Sequence, residues 1–112
     1  MIVAMFPGQG AQAVGMGRAL AESHELARRA FEEADDVLGY ALSDVCFAGP
    51  AERLTATDVC QPALVTVSVA AWRVAREEAG LEPGLMMGHS LGEYSALVAA
   101  GAMSFADALR IT

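Results

Sequence analysis

Gly88-His89-Ser90-Leu91-Gly92 fits the pattern G-x-S-x-G, which sets a serine on a sharp turn between a strand and a helix. A serine hydroxyl is a poor nucleophile unless it is exposed, close to a base and clear of its own backbone. A tight strand-to-helix turn lifts Ser90 above the sheet in a strained conformation, which meets the first and third conditions. The strand and the helix then nearly collide, so positions 88 and 92 tolerate little beyond glycine. The helix aims its N-terminus at the reaction centre, and the free N–H of Leu91 can stabilise the oxyanion of a tetrahedral intermediate. Ser90 is therefore the candidate nucleophile of a covalent mechanism.

His89 is the nearest titratable side chain. It is either the base or a structural neighbour, and an adjacent residue on a sharp turn usually points away from the serine. Glu93 sits in the first helical turn, where a carboxylate favours the dipole; a lining role is its alternative. A second glycine cluster lies at the other end of the chain. Gly8-Gln9-Gly10-Ala11-Gln12-Ala13 reads as G-x-G-x-x-A after a strand, the literal form of a dinucleotide-binding fingerprint. That reading needs a second strand and an acidic residue about 20 positions on, where the pattern here is an amphipathic helix around Phe31. The better use of Gly8, Gln9 and Gly10 is a backbone loop at the tip of the first strand, beside the Ser90 turn, with N–H groups that complete an oxyanion hole.

The elements that must position these residues follow from hydrophobic spacing. Ile2 to Phe6 is a continuous apolar run stopped by Pro7, the pattern of a buried parallel strand. Pro7 to Gly17 holds four glycines, two glutamines and no charge, a loop that ends in a helix near Met16. His24 to Leu38 has helical spacing with a charged outer face, Ser23 as N-cap and Gly39 as the stop. Leu42 to Phe47 is one short helix closed by Gly49-Pro50. Thr55 to Gln61 is a polar approach to a second long helix, with Pro62 in its first turn. From Ala63 to Ala75 its apolar positions go nearly all round, so this helix is buried, with Arg73, Arg76, Glu77 and Glu78 at its wet end. Leu85 to Gly88 is the second strand, Leu91 to Ala100 a third helix, and Ser104 with Asp107 a capping box for a last one. The order strand, helices, strand, turn, helix is α/β.

Composition bounds the rest. The chain has 112 residues, 54% of them hydrophobic, enough for one domain with a core. No apolar run reaches the roughly 18 residues of a membrane span, and the amino terminus lacks the basic flank and cleavage site of a secretory signal; the expected location is the cytoplasm. The net charge is −7, with seven arginines and no lysine, which argues against nucleic acid and anionic membranes. Arg28, Arg29, Arg73 and Arg76 read as solvated helix faces. Cys46 and Cys60 lack the spacing of a metal site or a redox motif and read as buried, reduced thiols. No metal ligand set and no bound cofactor is expected.

Phe6-Pro7-Gly8-Gln9-Gly10-Ala11-Gln12, Gln61-Pro62-Ala63-Leu64 and Gly88-His89-Ser90-Leu91-Gly92-Glu93-Tyr94-Ser95-Ala96 together resemble the malonyl-CoA:acyl-carrier-protein transacylases of fatty acid synthesis and the acyltransferases of polyketide synthases. The resemblance runs along the whole chain. It implies a ping-pong reaction in which a serine takes malonyl from coenzyme A and passes it to the phosphopantetheine thiol of an acyl carrier protein. Carried over by position, Ser90 is the nucleophile, Gln9 and the backbone of Leu91 form the oxyanion hole, and Gln61, His89, Gly8 and Gly10 stand close to the substrate. Leucine at position 91 matches the malonyl-type signature. Malonyl-CoA is then a substrate, not a bound cofactor, and the carrier protein is the partner. The start of the motif at Phe6 resembles a free-standing enzyme.

The same resemblance implies an α/β-hydrolase-like core with parallel strands and a nucleophile elbow, of which residues 1–112 are the amino-terminal segment. The family's catalytic histidine, its malonyl-binding arginine and its ferredoxin-like small subdomain are expected beyond Thr112; Arg110 reads as a helix-face residue. The remaining part of the enzyme is thus a further expected partner. Two competing functions stay open. A serine hydrolase or thioesterase shares the elbow, and a chain without the base could be an inactive fragment or a docking subunit.

Overall fold

Val3–Phe6 (β1) and Leu85–Gly88 (β2) form a two-stranded parallel sheet in the computed structural model, which describes residues 2–112. The register pairs Val3 with Leu85, Ala4 with Met86, Met5 with Met87 and Phe6 with Gly88. A parallel pair cannot be closed by a hairpin and needs a long crossover. Five helices fill it here: α1 (Arg18–Ser23), α2 (Glu25–Leu38), α3 (Leu42–Ala48), α4 (Ala51–Thr55) and α5 (Thr57–Ala79). After β2 come α6 (Gly92–Ala99) and α7 (Phe105–Ile111). Among the described residues no helix is long and apolar enough to cross a membrane.

Side chains alternate along a strand, so the register divides the sheet into two unlike faces. On one, Phe6 is buried and meets Trp72 of α5 edge-on, with ring centroids 6.5 Å apart. On the other, Val3 is 39% exposed, Met5 77%, Leu85 47% and Met87 48%. Parallel sheets are normally covered on both faces; this one is bare on one side.

The core lies away from the sheet, where α2 crosses α5. Ala27, Ala30 and Ala34 give α2 a small-residue stripe that is fully buried, so its backbone can approach α5 closely. Phe31 fills the remaining gap and packs against Phe47 of α3 with centroids 4.8 Å apart. α5 buries Val59, Leu64, Val65, Val69 and Val74 along its length, in line with its all-round apolar pattern. Both strands, the ends of α2 and α5 at Gly39 and Gly80, and α6 lie within about a residue of their sequence-based bounds.

Several local expectations are corrected. Ser23 is no cap: it ends α1, and the extended His24 (φ −131°, ψ 124°) separates α1 from α2. The break is held by a tertiary contact, a 2.7 Å hydrogen bond between His24 Nδ1 and Glu78 on α5. The polar approach at 55–61 is mostly helix, since α4 ends at Thr55 and α5 begins at Thr57. Pro62 therefore lies inside α5, not in its first turn, and its absent N–H removes one intrahelical bond. Arg73 is not a solvated arginine: it reaches Glu33 on α2 at 3.2 Å and lies 5.1 Å over the Phe105 ring.

Cys46 and Cys60 are both free and fully buried. Burial, reinforced by the charge of Asp35, pushes the Cys46 thiol from 9.0 up to about 12. A thiol raised in the folded state favours folding below its unfolded pKa and loses that advantage as pH climbs towards the folded one. Stability measured by urea unfolding should therefore fall between pH 9 and pH 12, and Cys46→Ala should flatten that fall. Iodoacetamide should spare Cys46 in the folded chain at pH 9 and modify it once the chain is unfolded.

Candidate active site

β2 runs straight into the turn at His89-Ser90-Leu91 and then into α6. Ser90 has φ 53°, the only positive φ of a non-glycine residue among those described. L-residues avoid this region at a cost of about 1–2 kcal/mol, and a serine stays there only where its surroundings hold it. Three backbone approaches do so. A Cβ on Gly88 would overlap the Gly92 backbone, a Cβ on Gly92 would overlap the Phe6 carbonyl oxygen, and a Cβ on Gly8 would overlap the His89 carbonyl oxygen. His89 N–H donates to the Phe6 carbonyl at 3.2 Å, Gly92 N–H to His89 at 3.0 Å and Glu93 N–H to Ser90 at 3.0 Å. The turn is thus clamped between the end of β1 and the start of α6, with Ser90 itself exposed.

The same geometry frees two donors. Among the described residues neither the Leu91 N–H nor the Gln9 N–H has a hydrogen-bond partner. Leu91 precedes α6, so its N–H belongs to the unpaired amides at a helix start. Gln9 follows Gly8, the residue pressed on His89.

The structure brings Gly8 against the Ser90 turn from the opposite end of the chain, with Gln9 and Gly10 following it in the loop. His89 is exposed, and its Nδ1 faces the Gly8 side, 3.5 Å from where a Cβ there would stand. Ser90 Oγ has no side-chain partner among the described residues, so His89 is placed as a neighbour and not as a hydrogen-bonded base. Gln61 is half-buried on α5, next to Cys60. Burial raises the Cys60 thiol, and the Gly10 N–H pulls it back, which puts Gly10 against this part of α5. Glu93 is exposed in the first turn of α6. Arg110 pairs with Asp107 at 3.4 Å on the outer face of α7, as its helix-face reading expected. Positions 25–38, where a dinucleotide fold would need its second strand, are α2. Spacing gave no sign of Thr57, whose hydroxyl accepts from the Gln9 side chain at 3.3 Å; a contact across 48 residues leaves no mark on local pattern.

Residues 3–112 match the profile of the acyl transferase domain. The chain belongs to that family. It is 52% identical over 107 residues to the malonyl CoA-acyl carrier protein transacylase of Salmonella typhimurium, a match covering 96% of this chain and 35% of the relative. A solved complex of a malonyl-transacylase with its type II polyketide acyl-carrier protein superposes with a TM-score of 0.93 at 50% identity, over 97% of this chain and 35% of that one. The malonyl CoA-acyl carrier protein transacylase of Coxiella burnetii gives a TM-score of 0.95 at 42% identity, over 97% and 34%. The chain thus spans about a third of the length of the relatives it matches, and its α/β fold is theirs.

The glycine contacts make a direct prediction. Gly88→Ala puts a methyl group into the Gly92 backbone, which cannot rotate away. The variant should lose about 3 kcal/mol or more, at or beyond the upper end of ordinary overpacking. Urea denaturation followed by circular dichroism would measure it, and a midpoint equal to the parent's would contradict the close approach.

Proposed function

We propose that Ser90 is acylated by malonyl-CoA and hands the malonyl group to the phosphopantetheine thiol of an acyl carrier protein, and that residues 1–112 are the amino-terminal segment of the large α/β unit of such a transacylase. The observation that carries this reading is Ser90 held at positive φ on the turn between β2 and α6, followed by the unpartnered N–H of Leu91. In the first half-reaction Ser90 Oγ bonds to the thioester carbonyl carbon, and the oxyanion is held by the N–H groups of Gln9 and Leu91. The C–S bond then breaks, coenzyme A leaves as the thiol, and the serine proton goes to its sulfur through a base. In the second half-reaction the carrier thiol attacks the ester, its proton returns to Ser90 Oγ, and the C–O bond breaks. Gln61, His89, Gly8 and Gly10 are the further residues assigned to the substrate side.

The base has no candidate hydrogen-bonded to Ser90 among the described residues, and a serine without its base retains little activity. The reading therefore assigns the base, the malonyl-binding arginine and the small subdomain to polypeptide outside this segment. The bare sheet face with Met5 and Met87 supports the same view, because a parallel sheet is stable only when covered.

To test this, the chain would be mixed with the part of the Salmonella typhimurium relative that follows the matched region, then given malonyl-CoA and a holo acyl carrier protein. Peptide mapping should find one malonyl ester, on Ser90, and the carrier should become malonylated. Ser90→Ala should lower transfer by about 10⁶-fold, the scale for losing a serine nucleophile within a triad. An ester elsewhere in a folded mixture would overturn the proposal, and free malonate with an unmodified carrier would favour a hydrolase. Met87→Glu should prevent assembly with the added polypeptide while leaving the helical circular dichroism of the isolated chain unchanged; gel filtration would report the first effect.

A further inference from the structure

The loop after β1 is tethered to the start of α5 as well as to the Ser90 turn. Gln9 Nε2 donates to Thr57 Oγ1 at 3.3 Å, and Gly10 N–H donates to Gln12 Oε1 at 2.8 Å. On its other side the loop presses Gly8 onto the His89 carbonyl. Gln9 thus bridges two supports, the turn that carries Ser90 and the buried helix α5.

The bridge bears on the direction of one amide. Gln9 N–H has no backbone partner among the described residues, and Gly10 beside it sits at φ 111°, open to glycine alone. The Gly8 carbonyl in the same peptide plane accepts from the Ala11 N–H at 3.3 Å, a restraint made within the loop, whereas a donor to a developing oxyanion works only when preorganised against the rest of the site. The side chain of Gln9 adds a restraint from outside the loop, and Thr57, the first residue of α5, is its anchor. We propose that Thr57 is a positioning residue: by holding the Gln9 side chain it aims the Gln9 N–H into the cradle whose other arm is the Leu91 N–H. This inference rests on the reading of Ser90 as the acylated residue.

Thr57 is exposed, so Thr57→Val removes the acceptor while keeping shape and core, and Thr57→Ser keeps the acceptor. In the ¹⁵N-labelled chain Thr57→Val should shift the Gln9 and Gly10 amides and lower their order parameters, with Val65 and Val69 of α5 unaffected; Thr57→Ser should behave as the parent. In the assembled enzyme Thr57→Val should slow Ser90 malonylation about tenfold, a fraction of the 10²–10³ lost when an oxyanion donor is removed outright. The half-saturating malonyl-CoA concentration should stay the same, and Thr57→Ser should restore the rate. Unchanged Gln9 and Gly10 amides in Thr57→Val overturn the tether whatever the activity. A loosened loop with an undiminished rate overturns the positioning role. A parent that is never malonylated, with a loop that still responds, overturns the Ser90 reading and the cradle with it, while the tether stands.

Discussion

The Gly92 backbone lies against the Phe6 carbonyl, and Gly88 lies against Gly92, so α6 is pressed onto the ends of both strands with no side chain between. Remove that approach and the turn relaxes: Ser90 has no reason to stay at positive φ. Close packing of backbone on backbone is rigid in a way that side-chain packing is not, because a side chain can change rotamer while the backbone here is held by the strand pairing and the helix. The site therefore owes its shape to residues that contribute no functional group of their own.

Around this point the helices act as a frame. α5 runs the length of the core, meets Phe6 through Trp72 in its second half, and reaches the glycine loop with its first turns. α2 fixes α5 through its alanine stripe and through the Arg73–Glu33 pair. That pair is partly shielded, and the stacking of Arg73 on Phe105 ties α7 to the same helix. A long helix wrapped in apolar contacts is a stiff lever on which a loop can be hung, whereas the two short strands alone would be too flexible.

Much of this was legible because the chemistry leaves local marks. G-x-S-x-G, the apolar runs of β1 and β2 and the glycine stops of α2 and α5 each state a backbone requirement within a few residues of where it acts. What stayed hidden was set by partners distant in sequence. The break at His24 answers to Glu78, and Arg73 answers to Glu33 and Phe105. Pro62 misled for a different reason. Its rule describes a preference for the first helical position, and α5 begins earlier because the chain bends at Ala56, whose carbonyl accepts the first helical amides. The family motifs singled out Gln9, but not the hydroxyl that accepts from its side chain.

The pairing of Phe6 with Gly88 joins positions roughly 80 residues apart. Closing an unstructured loop of that length costs about 4 kcal/mol in chain entropy, more than two four-residue strands return on first contact. Helices made of local contacts have no such toll. The order of assembly follows from this: the bundle has to collapse before the strand ends meet, and the turn that carries Ser90 is among the last features of the chain to take shape.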